Sequence, residues 1–299
     1  MAISQDLGRI EGGGGIAEPA PRRTRIARNA GRIVAFIVVL FFGSLYAFPV
    51  YWMVATSLKG PGEIFHLPLV WWPAILQWSN YSAVFSTFPF VRYFLNSLTI
   101  AVPVTIGTTI SSSLCAYSLA RLRWRGRTAC FYLVLATLLI PNWVTLVPLY
   151  SLYNQLGWVN TYAPLIVPAF FGDAFSIFLL RQFFLRQPQE LIDAARVDGA
   201  SHARIFIQVI IPLSKPVLVV VALFSFVAAW TDFFNPLVYL SNPNLYTLQV
   251  GLFNFFSQHF VNWGGFMGAS LMVMLPMVIL FLVAQRAFIQ GITFTGIRG

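Results

Sequence analysis

The residues of this sequence that could carry covalent or metal chemistry are few and widely separated. Its three histidines, His66, His202 and His259, lie in three different predicted loops, with no HExxH or CxxC pattern beside them. The two cysteines, Cys115 and Cys130, have no neighbours at metal-ligand spacing, and a free cysteine usually behaves as a small buried apolar residue. We therefore predict no catalytic residue and no metal ligand in this chain.

A patterned polar segment lies between residues 186 and 216. Pro188 suits the first turn of a helix, and Glu190 and Asp193 place negative charge near the positive N-terminal end of that helix. Four residues spaced at positions i, i+3, i+4 and i+7 predict a small-residue stripe on one face of this helix. The stripe consists of Leu191, Ala194, Ala195 and Asp198.

The same segment predicts a sharp turn and a second helix. Gly199 fits the left-handed conformation that ends a helix, and Ser201 can cap a second helix that runs to Val209 before Pro212 breaks it. Because isolated helices shorter than about 12 to 15 residues are marginal in water, something must cover the stripe. A groove in a partner protein and the chain's own helices are both candidates.

The composition places these short helices beside a membrane. Of the 299 residues, 58% are hydrophobic and 9% are charged, whereas a soluble protein has about 25% charged residues. With a mean hydropathy of +0.74, the chain is predicted to be a polytopic membrane protein. This excludes a soluble enzyme, a disordered protein and a nucleic-acid-binding domain as the main body, and no nucleic acid partner is expected.

Long uncharged intervals predict an all-α membrane protein with six transmembrane helices, because about 20 apolar residues cross the hydrocarbon core. These helices are expected between Arg32 and Lys59, between Arg92 and Arg121, and near residues 129–150, 163–180, 216–238 and 266–284. The expected membrane domain spans residues 31–290 with a cytoplasmic loop at 186–214, between a disordered basic tail at 1–30 and a C-terminal tail at 291–299.

The basic residues indicate the orientation. If the N-terminus is cytoplasmic, 17 of the 19 lysines and arginines lie inside, and Lys59 and Arg92 lie outside. Such a bias sets the topology of membrane proteins. Both termini are therefore expected in the cytoplasm, and the net charge of +10 is mostly a topology signal.

A few polar residues inside or beside the spans are candidates for a substrate pathway. An acid at the centre of a membrane helix costs on the order of 3 kcal/mol, so it usually faces a cavity or a partner. The alternative for Asp173 is a structural hydrogen bond to Ser176 or to a neighbouring helix, and the alternative for Asp232 is the membrane interface. The candidates are Asn96, Asp173, Trp230, Asp232 and Asn235.

The polar segment resembles the signature loop of ABC importer permeases, which is written EAA, three residues, G, nine residues, I, x, L, P. Asp193 stands in place of the glutamate, Val209 in place of the isoleucine and Ile211 in place of the leucine. The matching positions are Ala194, Ala195, Gly199 and Pro212.

Other segments resemble the carbohydrate-uptake branch of that family, specifically its six-helix maltose-type inner-membrane subunit. The resemblance covers nearly the whole chain after the tail. It rests on FVRYFLNSLTIA (90–101), CAYSLARLRWRGR (115–127), FLLRQFF (178–184), WTDFFNPLVYL (230–240), YTLQVGL (246–252) and the terminal GITFTGIRG (291–299).

The resemblance implies a permease subunit of an ATP-driven sugar importer in a bacterial or archaeal plasma membrane. It implies a heterodimer with a similar permease subunit, an extracytoplasmic solute-binding protein, and two ATPase subunits that bind ATP and Mg, so that this chain has no cofactor and no catalytic site. The loop at 188–212 would couple to an ATPase. The coupling residues would be Glu190, Leu191, Asp193, Ala194, Ala195, Asp198, Gly199 and Ala200.

Two other kinds of function stay open at this point. One is an ABC permease for another solute, such as glycerol phosphate. The other is a membrane-embedded enzyme or a secondary transporter. The lack of a metal or nucleophile pattern and the shortage of intramembrane charges for proton coupling stand against the second kind.

Overall fold

The computed structural model describes residues 22–87, 89–258 and 262–296, and all regular secondary structure in these residues is helical. The first helices are α1 (Arg22–Ser57), α2 (Pro61–Ile64), α3 (Ser79–Thr87), α4 (Phe90–Arg121), α5 (Arg127–Thr137), α6 (Asn142–Gln155) and α7 (Ala163–Ile166). The others are α8 (Ala174–Leu185), α9 (Gln189–Val197), α10 (His202–Ile205), α11 (Ile211–Leu213), α12 (Lys215–Thr231), α13 (Phe234–Tyr239), α14 (Leu248–Gln258) and α15 (Trp263–Gly296).

Both predicted tails overlap helices. Residues 1–21 of the tail expected at 1–30 lie outside the described residues, and residues 22–30 form the start of α1. Residues 291–296 of the expected C-terminal tail belong to α15, and residues 297–299 lie outside the described part.

The chain divides into two compact units, residues 1–52 and 53–299. In the first unit, the apolar side chains from Ile33 to Tyr51 are exposed along the helix. A helix that is apolar on all sides suits a lipid environment rather than water.

The described helices include four that are long and apolar enough to cross a membrane, and a fifth span if a bent pair is counted as one. The four are Gly31–Ser57, Phe90–Arg121, Ala163–Leu185 and Trp263–Gln285, and the pair joins His202–Leu213 to Lys215–Thr231 with a bend of 82°. The expected count of six is not reached by this measure, because the helix expected at 129–150 is divided. Pro141 is the N-cap of α6, and a proline disfavours helical geometry at the residue before it.

Two further expected helices are interrupted at acidic residues. The helix expected at 163–180 passes through a 3₁₀ turn at Val167–Phe171, breaks at Gly172, which has φ of +93°, and resumes after Asp173. The helix expected at 216–238 ends at Thr231, and Asp232 is extended, with φ of −65° and ψ of 114°. The expectation of a single helix at 216–238 was therefore wrong, because this range forms two helices, α12 and α13.

In the second unit, α4 packs against α8 and α12, and α15 packs on α12. The first half of α4 contributes Tyr93 and Ala101 to a buried cluster with Trp230, Leu248 and Val273. The last turns of α4 contribute to a second cluster instead. That cluster consists of Ala116, Tyr117, Ala120, Leu180, Phe184, Ile192, Ile205, Ile210, Val217 and Val221.

A close approach of α15 to α3 depends on Gly264. Asn80 is buried, and its amide Nδ2 donates to the carbonyl oxygens of Ser57 and Lys59, both at 3.0 Å. A Cβ at position 264 would lie 2.4 Å from that Nδ2 atom. Glycine is therefore required at this position for steric reasons.

We expect Gly264→Ala to lower the thermal stability, because Asn80 must move away from both carbonyl groups. A buried hydrogen bond that is lost costs about 1–3 kcal/mol, which corresponds to a fall in Tm of roughly 5 °C for a domain of this size. Gly268→Ala is the matched control, since its Cβ would meet Tyr81 at an ordinary 3.5 Å. Equal Tm values for the two purified variants in detergent would contradict this assignment.

Candidate functional site

The predicted small-residue stripe lies on α9, and Pro188 precedes that helix as its N-cap. Glu190 stands in the first turn, as expected, and is exposed. Asp193 accepts a hydrogen bond from Gln189 Nε2 at 3.0 Å and forms an ion pair with Arg196 at 3.3 Å. These polar contacts stabilise a helix that has only nine residues.

The two faces of α9 have different surroundings. Ile192 is 1% exposed and belongs to the buried cluster at the end of α4, and Ala195 packs against that cluster. On the opposite side, Leu191 is 45% exposed and Val197 is 88% exposed, and Ala194 is also exposed. The chain's own helices therefore cover one face of α9, which is the second of the two expected alternatives, and leave an apolar face uncovered.

The turn after α9 has the expected geometry. Gly199 has φ of +76°, and the amide of Ala200 donates to the carbonyl oxygen of Ala195 at 2.9 Å. Asp198 is the C-cap of the helix. The hydrogen bond from Ala200 to Ala195 is the six-to-one bond of a Schellman ending, in which glycine is the favoured residue at the position of Gly199.

The second helix of the segment begins as predicted and ends later. Ser201 Oγ accepts a hydrogen bond from the amide of Arg204 at 3.3 Å. The helical path then continues through a π turn at Phe206–Ile210 into α11, and Pro212 lies inside it rather than ending it. The expected break at Pro212 was wrong: Pro212 comes just after the π turn, in which the amide of Ile211 donates to the carbonyl oxygen of Phe206, and the helical path ends only at Ser214.

A second candidate site is a cavity of about 530 Å³ between α4, α8 and α12. Three of the predicted pathway residues line it, namely Asp173, Asp232 and Asn235. Thr108 and Ser225, both mostly buried, also line it, and so do the aromatic rings of Phe175 and Phe224. Among the described residues that line this cavity, none is basic.

The two helix breaks supply the acids of the cavity. Asp173 is the N-cap of α8, and its Oδ2 accepts from the amide of Ser176 at 2.7 Å. Asp232 Oδ1 accepts from the amide of Asn235 at 3.1 Å, and its Oδ2 accepts from the Asn235 side chain at 2.8 Å. Each carboxylate thus caps the helix after a break while lining the cavity, so the structural hydrogen bond expected for Asp173 exists together with the cavity position.

The other two pathway candidates lie elsewhere. Asn96 Nδ2 donates to the carbonyl oxygens of Asn244 and Tyr246, at 2.8 and 2.9 Å, and holds the loop before α14. Trp230 is 1% exposed, and its indole Nε1 donates to the carbonyl oxygen of Val273 at 3.0 Å. Both have structural roles, and neither is among the residues that line the cavity.

Sequence reasoning missed three contributors to these sites. Ile192 anchors α9 but is not part of the predicted stripe, and its apolar type at the centre of a polar loop was the available signal. Thr108 and Ser225 line the cavity, but hydroxyl residues in membrane helices usually bond to their own backbone and carry no distinguishing signal.

Comparison with known proteins decides the family. Residues 108–293 match the family described as "Binding-protein-dependent transport system inner membrane component". The chain belongs to this family. The match includes both candidate sites apart from the cavity-lining residues Ile100 and Val104, and the resemblance identified from the sequence is confirmed.

Individual relatives cover almost the whole chain. The arabinooligosaccharides transport system permease protein AraQ of Bacillus subtilis is 31% identical over 90% of this chain and 96% of its own length. The trehalose/maltose transport system permease protein MalG of Thermococcus litoralis is 33% identical over 90% of this chain and 97% of its own length. A crystal structure of a bacterial ABC transporter involved in alginate import has a TM-score of 0.77 at 23% identity, and covers 87% of this chain and 97% of its own. That likeness shows the same fold.

The contrast between the two faces of α9 can be tested by truncating one apolar residue on each. Replacing Ile192 with alanine removes a buried anchor at a cost of about 3 kcal/mol, which corresponds to amide exchange in α9 that is roughly 100-fold faster. Leu191→Ala is the control and should change this exchange little, because surface substitutions usually cost less than about 0.5 kcal/mol. Hydrogen exchange measured by mass spectrometry on the purified chain would distinguish the two. Similar acceleration in both variants would show that Ile192 is not the anchor.

Proposed function

We propose that this chain is the permease subunit of an ATP-driven sugar importer and forms half of its translocation pathway. The observation that carries the proposal is the exposed apolar face of α9 (Leu191, Ala194 and Val197) on a short helix outside the membrane spans. A helix that is fixed on one side and exposes a narrow apolar stripe on the other suits insertion into a groove of another protein.

The proposed partner at this face is one of two ATPase subunits, which bind ATP and Mg. The exposed side chains between Glu190 and Ala200 form the contact, with Gly199 setting the angle between α9 and α10. This chain performs no catalysis in the proposal, and ATP hydrolysis belongs to the partners. A second homologous permease subunit completes the pathway. A solute-binding protein on the outer side delivers the substrate, in line with the description of the family.

The proposed substrate is a mono-, di- or oligosaccharide. Relatives named for arabinooligosaccharide and trehalose/maltose transport support this class. The cavity supports it too, because carboxylate, amide and hydroxyl groups beside two aromatic rings suit the hydroxyls and apolar faces of sugar rings. A phosphorylated solute such as glycerol phosphate is the second candidate. The carboxylates of Asp173 and Asp232, with no basic group among the described lining residues, disfavour it.

The proposed orientation has both termini in the cytoplasm of a bacterial or archaeal cell. It follows from the 17 of 19 basic residues that this orientation leaves inside. It also puts α9 on the cytoplasmic side, where ATP is available.

The coupling role is tested at Gly199, where substitution acts through the backbone. A Cβ at this position would meet nothing within 4 Å, but φ is +76°. Gly199→Val should therefore reduce both the co-purifying ATPase and ATP-dependent uptake, since a left-handed conformation costs non-glycine residues about 1–2 kcal/mol. Gly199→Asn is the milder control, because asparagine tolerates this conformation better. A valine variant that retains its ATPase and full uptake would refute the coupling role.

The pathway role is tested by filling the cavity. Ala228 lines it and is exposed there. Ala228→Trp should abolish sugar uptake while the amount of co-purifying ATPase stays unchanged, because the indole obstructs the cavity without touching α9. Leu275→Trp is the control, since Leu275 is 53% exposed on α15 and is not a lining residue. Normal uptake by the Ala228 variant in proteoliposomes would place the pathway elsewhere.

A further inference from the structure

One side chain bonds the C-terminal end of α4 to the start of the segment 189–205, which contains α9 and α10 and which we call the coupling segment. Arg121, the last residue of α4, donates through Nη1 to Gln189 Oε1 at 2.7 Å, and Gln189 is the first residue of α9. Through Nη2 it donates to the carbonyl oxygens of Phe184 and of Gln187, the latter at 2.6 Å. One guanidinium thus joins α4, the end of α8 and the start of α9. We call this set of contacts the Arg121 clamp.

Two further contacts fix the same end of α4 to the coupling segment. Tyr117 Oη donates to the carbonyl oxygen of His202, the first residue of α10, at 3.3 Å. Ile192 of α9 lies in one buried cluster with Ala116 and Ala120. Helices before and after the Gly199 turn are therefore both in contact with the last two turns of α4.

The other end of this connection lies in the cavity. Ile100, Val104 and Thr108 line the cavity from α4, spaced four residues apart. The same ridge continues at Ser112, which is fully buried and whose Oγ accepts a hydrogen bond from the amide of Asp173 at 3.0 Å. From Thr108 to Arg121 is 13 residues, or about 20 Å of helix at about 1.5 Å per residue.

We propose that α4 is the element that transmits movement of the coupling segment to the cavity, and that Arg121 is the positioning residue that fixes α9 to it. This inference rests on the proposed function, since it needs an ATPase that moves α9. The part of α4 from Thr108 to Arg121 lies after its internal proline, Pro103, and is a continuous hydrogen-bonded helix that transmits displacement along its axis. The other walls of the cavity are broken at Gly172 and at Asp232. If α9 slides relative to α4, closure of the ATPases no longer displaces Thr108 or the Ser112 contact to Asp173.

Arginine suits the role because its fork of N–H donors reaches three acceptors at fixed angles. Lysine would keep the positive charge at the C-terminal end of α8 but would hold the three oxygens less rigidly. A purely structural role at that helix end would tolerate lysine and would not involve Gln189. The proposal therefore predicts effects for both Arg121→Lys and Gln189→Leu.

The test uses the complete importer, purified with its ATPase and binding-protein partners and reconstituted in proteoliposomes. The measured quantity is sugar uptake per ATP hydrolysed, with the ATPase content of the complex recorded beside it. Arg121→Met should lower this ratio about fivefold or more, which is the lower range of coupling between distant sites. Arg121→Lys and Gln189→Leu should lower it less, and the ATPase content should stay at the wild-type level. Arg123→Met is the matched control, because Arg123 is exposed and lies just beyond the end of α4.

The outcomes separate the two proposals. A wild-type complex without ATP-dependent uptake would refute the proposed function itself. With a working wild-type complex, a normal ratio of uptake to ATP hydrolysis in both Arg121→Met and Gln189→Leu would overturn the role of the Arg121 clamp. If Arg121→Met fails to assemble, Gln189→Leu decides, since it leaves the bonds from Arg121 to Phe184 and Gln187 intact. In that variant a lowered ratio of uptake to ATP hydrolysis supports the Arg121 clamp, and a normal ratio refutes it.

Discussion

The burial of Ile192 is the interaction on which α9 and the turn after it depend. Nine residues cannot maintain a helix in water by hydrogen bonding alone, because nucleation costs more than so few bonds return. The side chain of Ile192 is 1% exposed among residues of α4, α8 and α12, and this contact orients the rest of α9. Once that face is fixed, the opposite face is presented outward without any contribution from a partner.

A second constraint acts on the broken helices around the cavity. Backbone amides freed inside a membrane protein need acceptors, since the hydrocarbon provides none. Asp173 and Asp232 provide them at the two breaks, and their carboxylates reach the cavity as a consequence. The acids that appear costly in the sequence are thus placed where they satisfy the backbone and line a polar space at the same time.

Much of the coupling segment could be predicted from the sequence, because its determinants are local. A glycine with a required positive φ and a serine at an N-cap act through bonds to neighbouring residues, and both were correctly placed. The pathway was less predictable. Asn96 is a polar residue inside an apolar helix and Trp230 accompanies Asp232 near the end of an expected span, but the partners of both are carbonyl groups, about 150 and 43 residues away in sequence. Only tertiary packing reveals such partners.

The exposed face of α9 has a cost for any copy that has not found its partners. Val197 is 88% exposed and Leu191 is 45% exposed on this helix, which is not one of the candidate membrane spans. Apolar surface of this kind favours self-association and recognition by cellular proteases. If the proposed ATPase covers this face, a copy of the chain that lacks its partner would be short-lived compared with an assembled one, and the abundance of the two would stay in balance without dedicated regulation.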